Sequence, residues 1–130
     1  VRSGEQEPLL THPAIHLNAA SADKAVRDLL ESQFSPDADI LRELVKNLFP
    51  LDPVELTPEI LLFHAHSAYL DRPVILLGLS SAGISLPNAN QNFRAFFILV
   101  SPIDQTNVHL HALTKVARMA KELQEQLLRS

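Results

Sequence analysis

The apolar run at residues 93–100, FRAFFILV, constrains the fold more than any other feature of the sequence. Only Arg94 interrupts it, so a strand over these residues would be apolar on both faces. Such strands lie inside a sheet that is covered on both sides. The run is also much shorter than the roughly 18 residues that a membrane-spanning helix needs. It therefore predicts the central strand of a layered domain, with no direct membrane insertion.

Helical patterns lie before and after the predicted strands. Ser21 is a suitable N-cap for a first helix, and a second helix is predicted to begin at Asp37 or Asp39 and to stop at Pro50. The apolar strand is followed by a long final helix, whose candidate caps are Asp104, Thr106 and Asn107. This order of elements favours α/β or α+β layers over a helix bundle.

The remaining strands are predicted from short apolar segments at residues 14–17, 60–66 and 74–79. Residues 50–58 contain three prolines and are predicted to form an irregular connection. Residues 85–92 are rich in Asn and are predicted to form a loop or a hairpin connection. Residues 1–13 are polar and are predicted to be a tail or linker, which leaves residues 14–130 as one domain.

Charge and cysteine content exclude several classes of function. The chain has 15 acidic and 11 basic residues and a formal net charge of -4, with no basic stripe, so nucleic-acid binding is not expected. It has no cysteine, which excludes disulfides and thiolate metal sites and is compatible with a cytoplasmic protein.

Four of the six histidines form two pairs with one residue between them, His64 with His66 and His109 with His111. Residues two apart on a strand share a face, so His64 and His66 are predicted to lie about 7 Å apart at one site. Two residues apart near a helix start means about 200° of rotation, so only one of His109 and His111 can join them.

Three interpretations of these histidines remain open from the residues alone. They can be surface histidines without chemistry, or they can bind a metal, although no carboxylate lies at a familiar ligand spacing. They can also accept a phosphoryl group, because a neutral imidazole is a competent nucleophile near pH 7. A second imidazole and a helix N-terminus would then stabilise the phosphoryl oxygens.

Residues 64–73, HAHSAYLDRP, resemble the segment that carries the phosphoryl-accepting histidine in type-2 IIA domains of the sugar phosphotransferase system. Residues 74–84 are similar to the strand and turn that follow it in that family. Residues 93–102, ending in Ser101 and Pro102, resemble its apolar strand, and residues 109–117, HLHALTKVA, resemble its final H-L-x-x-L-x-x-[IV]-A helix. The resemblance extends over residues 14–128.

The resemblance implies an α/β three-layer sandwich, in which a mixed β-sheet is flanked by helices. It implies that His64 is the phosphoryl acceptor and His109 the second active-site histidine, with His66, Ser67 and Arg72 in supporting positions on the phosphate side. The donor would be the phosphocarrier protein HPr or a related protein. The acceptor would be a IIB domain or a regulated transporter. The resemblance implies no cofactor and no metal.

The segment before His64 departs from the family pattern. That family usually has Gly, Ala and Pro before the acceptor, and Phe63 here takes the place of the Pro. His66 takes the place of an Arg, so a titratable group replaces a permanent cation. These changes, and a first residue that is Val1 rather than Met, suggest an alternative. In it the chain is a non-catalytic regulatory domain of a larger protein, such as a membrane transporter or antiporter.

Overall fold

The computed structural model describes residues 14–35, 38–48, 52–86 and 92–129. Within these ranges five strands and three helices follow one another: β1 (Ile15–His16), α1 (Ala22–Gln33), α2 (Asp39–Leu48), β2 (Val54–Thr57), β3 (Ile60–Ser67), β4 (Val74–Ser85), β5 (Asn92–Pro102) and α3 (Thr106–Arg129). The predicted tail at residues 1–13, the alternative helix start at Asp37 and the stop at Pro50 lie outside the described residues.

The strands form one sheet in the order β1-β4-β5-β3-β2. β5 is central, antiparallel to β4 and parallel to β3. The two edge strands are short: β1 runs parallel to β4 and β2 runs antiparallel to β3. The sheet is therefore mixed, and β3 and β5 both end at the same edge, where Ser67 lies opposite Pro102.

Helices cover both faces of the sheet, which confirms the predicted α/β fold of three layers. One apolar core joins α1 and α2 to the first face, and a second core joins α3 to the other face. Alternate residues of β5 enter the two cores: Phe96, Ile98 and Val100 face α1 and α2, whereas Phe97 and Leu99 face α3. All five of these side chains are buried, as a strand that is apolar on both faces requires.

The predicted cap of the first helix is confirmed, whereas the cap position of α3 is Gln105, whose carbonyl oxygen accepts from the backbone N–H of His109 at 3.0 Å, and not one of the predicted residues. Ser21 is the N-cap of α1, and its hydroxyl oxygen accepts a hydrogen bond from the backbone N–H of Lys24 at 3.3 Å. α3 begins at Thr106, after a turn in which Asp104 has a φ of 68°. No helix within the described ranges is long and apolar enough to cross a membrane.

The prediction of an irregular connection at residues 50–58 was wrong, because β2 lies within it. Pro53 and Pro58 flank this strand instead of interrupting it, and β2 is an edge strand, where proline is tolerated. Val54 pairs with Leu62, and a bulge separates Glu55 from Thr57. Four residues at a sheet edge leave almost no periodic pattern in a sequence.

β4 is also longer than the predicted segment at residues 74–79. A register shift between Leu79 and Ile84 lets the strand continue to Ser85, which pairs with Asn92. Gly83 has a φ of 83° within this irregularity, a conformation that few other residues adopt. Ser85 and Asn92, the two ends of the predicted loop or hairpin connection, pair in this antiparallel ladder, and residues 87–91 lie outside the described residues.

Candidate functional site

His64 and His66 lie near the carboxyl end of β3 and project from the same face of the sheet. They continue the row of Ile60 and Leu62, which packs against α3, and both side chains are exposed beyond its end. In the ladder with β5, His64 lies opposite Leu99 and His66 lies opposite Ser101. The alternation of the strand thus places two imidazoles beside the start of α3.

His109 joins them from the first turns of α3. Because β5 leads through a short turn into α3, the helix begins at the edge where β3 also ends. The ring centre of His109 lies 5.7 Å from that of His64 and 4.6 Å from that of His66. His111 is exposed and takes no part in these ring contacts, which agrees with its predicted rotation away from His109.

His109 is the buried member of this histidine cluster (His64, His66 and His109), with only 9% of its surface exposed. Its Nδ1 lies 2.6 Å from the hydroxyl oxygen of Ser101, which is fully buried. Burial lowers the pKa of His109 below its ordinary value of 6.5, and the nearby His66 and His64 lower it further. His109 therefore favours the neutral state at pH 7, with one ring nitrogen held by Ser101.

Helix α2 holds the end of β3 from the opposite side. The side-chain amide of Asn47 donates to the carbonyl oxygen of His66 at 3.4 Å, and the backbone N–H of Ala68 donates to Oε2 of Glu43 at 3.2 Å. The other carboxylate oxygen of Glu43, Oε1, is buried and has no hydrogen-bond partner among the described residues. The backbone that carries His66 is therefore attached to a helix as well as to the sheet.

Phe63 is a core residue in this protein. Its ring is buried and stacks on that of Phe96, with 6.1 Å between the ring centres, on the face covered by α1 and α2. Its side chain therefore lies on the face opposite His64. A small cavity of about 50 Å³ is lined by Asn47, Leu48, Asp52, Phe63 and His64.

Ser67 and Arg72, the two other predicted supporting residues, differ in their positions. Ser67 is fully buried, and the alternation of β3 places it on the face opposite His66. Its hydroxyl oxygen accepts a hydrogen bond from the backbone N–H of Tyr69 at 3.0 Å. The side chain of Ser67 and those of His64 and His66 therefore lie on opposite faces of β3. Arg72 is exposed in the turn between β3 and β4, at the edge of the sheet where the histidines lie.

Sequence patterns did not identify Ser101, Asn47 or Glu43. A serine in an apolar strand and polar residues near the end of a helix carry no signal for a contact with a histidine or with a distant strand. Among the described residues, no group of three or more His, Asp or Glu side chains is arranged to hold a metal ion.

Comparisons with known proteins agree with this fold. The family model described as the phosphoenolpyruvate-dependent sugar phosphotransferase system, EIIA 2, matches residues 19–129. The crystal structure of nitrogen regulatory protein IIA-Ntr from Neisseria meningitidis is similar, with a TM-score of 0.65 and 21% sequence identity over 88% of this chain and 81% of that one. At this identity the likeness shows the fold. No curated protein sequence matches the chain.

Proposed function

Because the chain belongs to the EIIA 2 family of the phosphoenolpyruvate-dependent sugar phosphotransferase system, we propose that it is a phosphoryl carrier with His64 as the acceptor. The observation that carries this proposal is the approach of the exposed His64 to the buried His109, with 5.7 Å between the ring centres. An exposed imidazole is accessible to a protein donor, and a buried neighbour can bind the group that it receives.

Phosphoryl transfer to His64 needs a neutral ring with a free lone pair. The phosphorus–nitrogen bond of a donor phosphohistidine breaks while the other ring nitrogen of that histidine is protonated, so the donor's imidazole leaves as a neutral ring. A phosphorus–nitrogen bond forms to the bare ring nitrogen of His64, whose ring keeps the proton on its other nitrogen. In the next step the same exchange passes the group to an acceptor. The protein itself supplies mainly position and charge stabilisation.

His109 stabilises the phosphoryl oxygens in this proposal. A neutral imidazole retains one N–H, which can donate a hydrogen bond to an oxygen of the transferred group. His109 also lies in the first turns of α3, where the positive end of the helix dipole favours an anion. His66 is exposed beside the ring of His109 and is a further donor, and Arg72 supplies a positive charge at the same end of the sheet.

The partners proposed for this site are HPr as donor and a IIB domain or a regulated transporter as acceptor, in the cytoplasm. Three large side chains are exposed at the end of the sheet where the histidine cluster lies: Tyr69 after β3, Ile103 after β5 and Leu110 beside His109. Aromatic and aliphatic side chains around a reactive group suit a protein surface as the partner, because they exclude water from the contact.

Transfer from labelled phosphoenolpyruvate through the general components of the system tests this proposal. We expect an acid-labile label on the wild-type chain and none on His64→Ala. His111→Ala is the matched control, since His111 is exposed outside the cluster and this variant should keep the label. Absence of label on the folded wild type, or full label on His64→Ala, would reject His64 as the acceptor.

A non-catalytic regulatory domain is the second candidate, and the buried Phe63 favours it. Its ring fills the core directly before His64, at the position where the family usually has Pro. In this case the domain binds a partner, such as the remainder of a transporter or antiporter, without carrying phosphate. Restoration of the label by Phe63→Pro on an otherwise unlabelled chain would support this second function.

A further inference from the structure

Ser101 occupies an unusual place in the central strand. Its side chain is fully buried at the carboxyl end of β5, opposite His66 in the ladder and on the face that carries α3. It is one of the few buried polar side chains in the described residues, with Ser67, Ser80 and His109. A buried hydroxyl group is stable there only if it is hydrogen-bonded.

The partner of that hydroxyl is His109. Only 2.6 Å separates the oxygen of Ser101 from Nδ1 of His109, which is the short end of the range for a hydrogen bond. Two arrangements fit this distance. Either the serine O–H donates to a bare Nδ1, which leaves the ring proton on Nε2, or Nδ1–H donates to the serine oxygen, which leaves Nε2 bare.

The accounting of donors and acceptors favours the first arrangement. Within the described residues, Nδ1 of His109 is the acceptor that the structure offers to the Ser101 hydroxyl. If Nδ1 carried the ring proton, the serine hydroxyl proton would be buried without an acceptor, and an unmet buried donor is strongly unfavourable. The first arrangement satisfies both groups and leaves an N–H on the other side of the ring.

We propose that Ser101 is a positioning residue that fixes His109 in the tautomer with its proton on Nε2. This inference rests on the proposed function, because the N–H on Nε2 is the donor that meets the phosphoryl group of His64. A neutral ring in the other tautomer would present a lone pair to the phosphoryl oxygens and would repel them. Ser101 thus acts through His109, as the residue that orients a histidine commonly does.

The tautomer is measurable in the unphosphorylated protein, independently of any transfer. In ¹⁵N-histidine-labelled protein at about pH 8, above the ordinary pKa of histidine, two-bond ¹H–¹⁵N correlations distinguish a protonated from a bare ring nitrogen. We expect a protonated Nε2 and a bare Nδ1 for wild-type His109. In Ser101→Ala, the ¹⁵N chemical shifts of both ring nitrogens of His109 should move towards the average of the two tautomers. Ser101→Thr keeps the hydroxyl group and should show the wild-type pattern.

Transfer kinetics supply the second readout. We expect Ser101→Ala to lower the maximal rate of phosphoryl transfer from HPr about tenfold with little change in KM, because a donor is lost in the transition state rather than in docking. Ser101→Thr should recover most of the rate. Ser80→Ala is the control, since Ser80 is another buried serine of the sheet, on β4, and its loss should change neither the spectrum nor the rate.

The outcomes separate the two proposals. A wild-type His109 with its proton on Nδ1, or a Ser101→Ala variant that keeps both the wild-type spectrum and the wild-type rate, would overturn the role of Ser101. Failure of the wild type to accept phosphate would instead reject the proposed function, and the tautomer pattern would remain a valid test of Ser101. If Ser101→Ala does not fold, the wild-type and Ser101→Thr spectra still decide the assignment.

Discussion

The ring of His66 lies closer to His109 than the ring of His64 does, at 4.6 Å against 5.7 Å between centres. Burial is the main cause of the lowered pKa of His109, followed by the charge of His66 and then that of His64. We therefore expect His66→Gln to raise the pKa of His109 more than His64→Gln does. Proton NMR titration of the His109 ring measures both changes, and an equal or larger effect of His64→Gln would contradict the order.

The buried ring of His109 makes stability depend on pH. Its pKa is lowered in the folded state, so below the ordinary value of 6.5 the unfolded chain binds more protons than the folded protein. The stabilising contribution is complete above that pH and is lost as the pH falls through the lowered pKa. We expect a smaller loss of stability between about pH 7.5 and 5.5 for His109→Gln than for the wild type. Urea unfolding at the two pH values measures this loss of stability for each protein. An equal loss in His109→Gln and in the wild type would refute the explanation.

Arg94 stabilises the edge of the sheet that lies away from the histidines. It pairs with Glu59 at 2.8 Å and also donates to the carbonyl oxygen of Leu127 at 2.8 Å, which links β5 to the end of α3. Hydrogen bonds from Arg94 and then from Gln124 lower the pKa of Glu59. We expect Arg94→Met to lower the free energy of unfolding by about 1–2 kcal/mol and to raise the pKa of Glu59.

The pair of Lys24 and Asp28 is the matched control for Arg94. Its charged atoms are similarly close, at 2.9 Å, but the Lys24 side chain is largely exposed on α1. Lys24→Met is expected to change stability by no more than about 0.5 kcal/mol. Chemical denaturation measures both effects. If the two substitutions lower the free energy of unfolding equally, the half-buried contacts of Arg94 contribute no more to stability than a surface ion pair does.

Gly83 allows the irregular part of β4 to form. Its φ of 83° disfavours any side chain, and a Cβ added there would lie 2.8 Å from Cβ of Asn92 on the neighbouring strand. We expect Gly83→Ala to destabilise the protein by about 1–3 kcal/mol. The adjacent, exposed Ala82 provides the control, and Ala82→Ser should stay within about 0.5 kcal/mol of the wild type. A neutral Gly83→Ala would show that the hairpin tolerates another conformation.

The sequence predicted those features that depend on local pattern. The apolar run at residues 93–100 identified the central strand, and the alternation of β3 placed His64 and His66 on one face. The rotation between His109 and His111 separated those two residues correctly. Each of these follows from the period of a single element, so no knowledge of its neighbours was needed.

The features that the sequence did not predict depend on contacts between elements. β2 is a short edge strand between prolines, and its pairing with β3 is what makes it a strand. The hydrogen bond between Ser101 and His109 and the contacts of α2 with the end of β3 join residues that no periodic pattern relates. Ser67 is adjacent to His66 in the sequence, but the alternation of β3 places its side chain on the opposite face of the strand.

The parallel pairing of β3 with β5 also has a consequence for how the molecule is made. β4 lies between these two strands in the sequence, so the pairing of β3 with β5 closes a loop that contains all of β4. Contacts of such long sequence separation carry an entropic cost of loop closure. His64 lies on β3 and His109 follows β5, so the two residues meet only in a chain in which β3 has paired with β5. A partly folded chain would carry both residues without being able to bring them together.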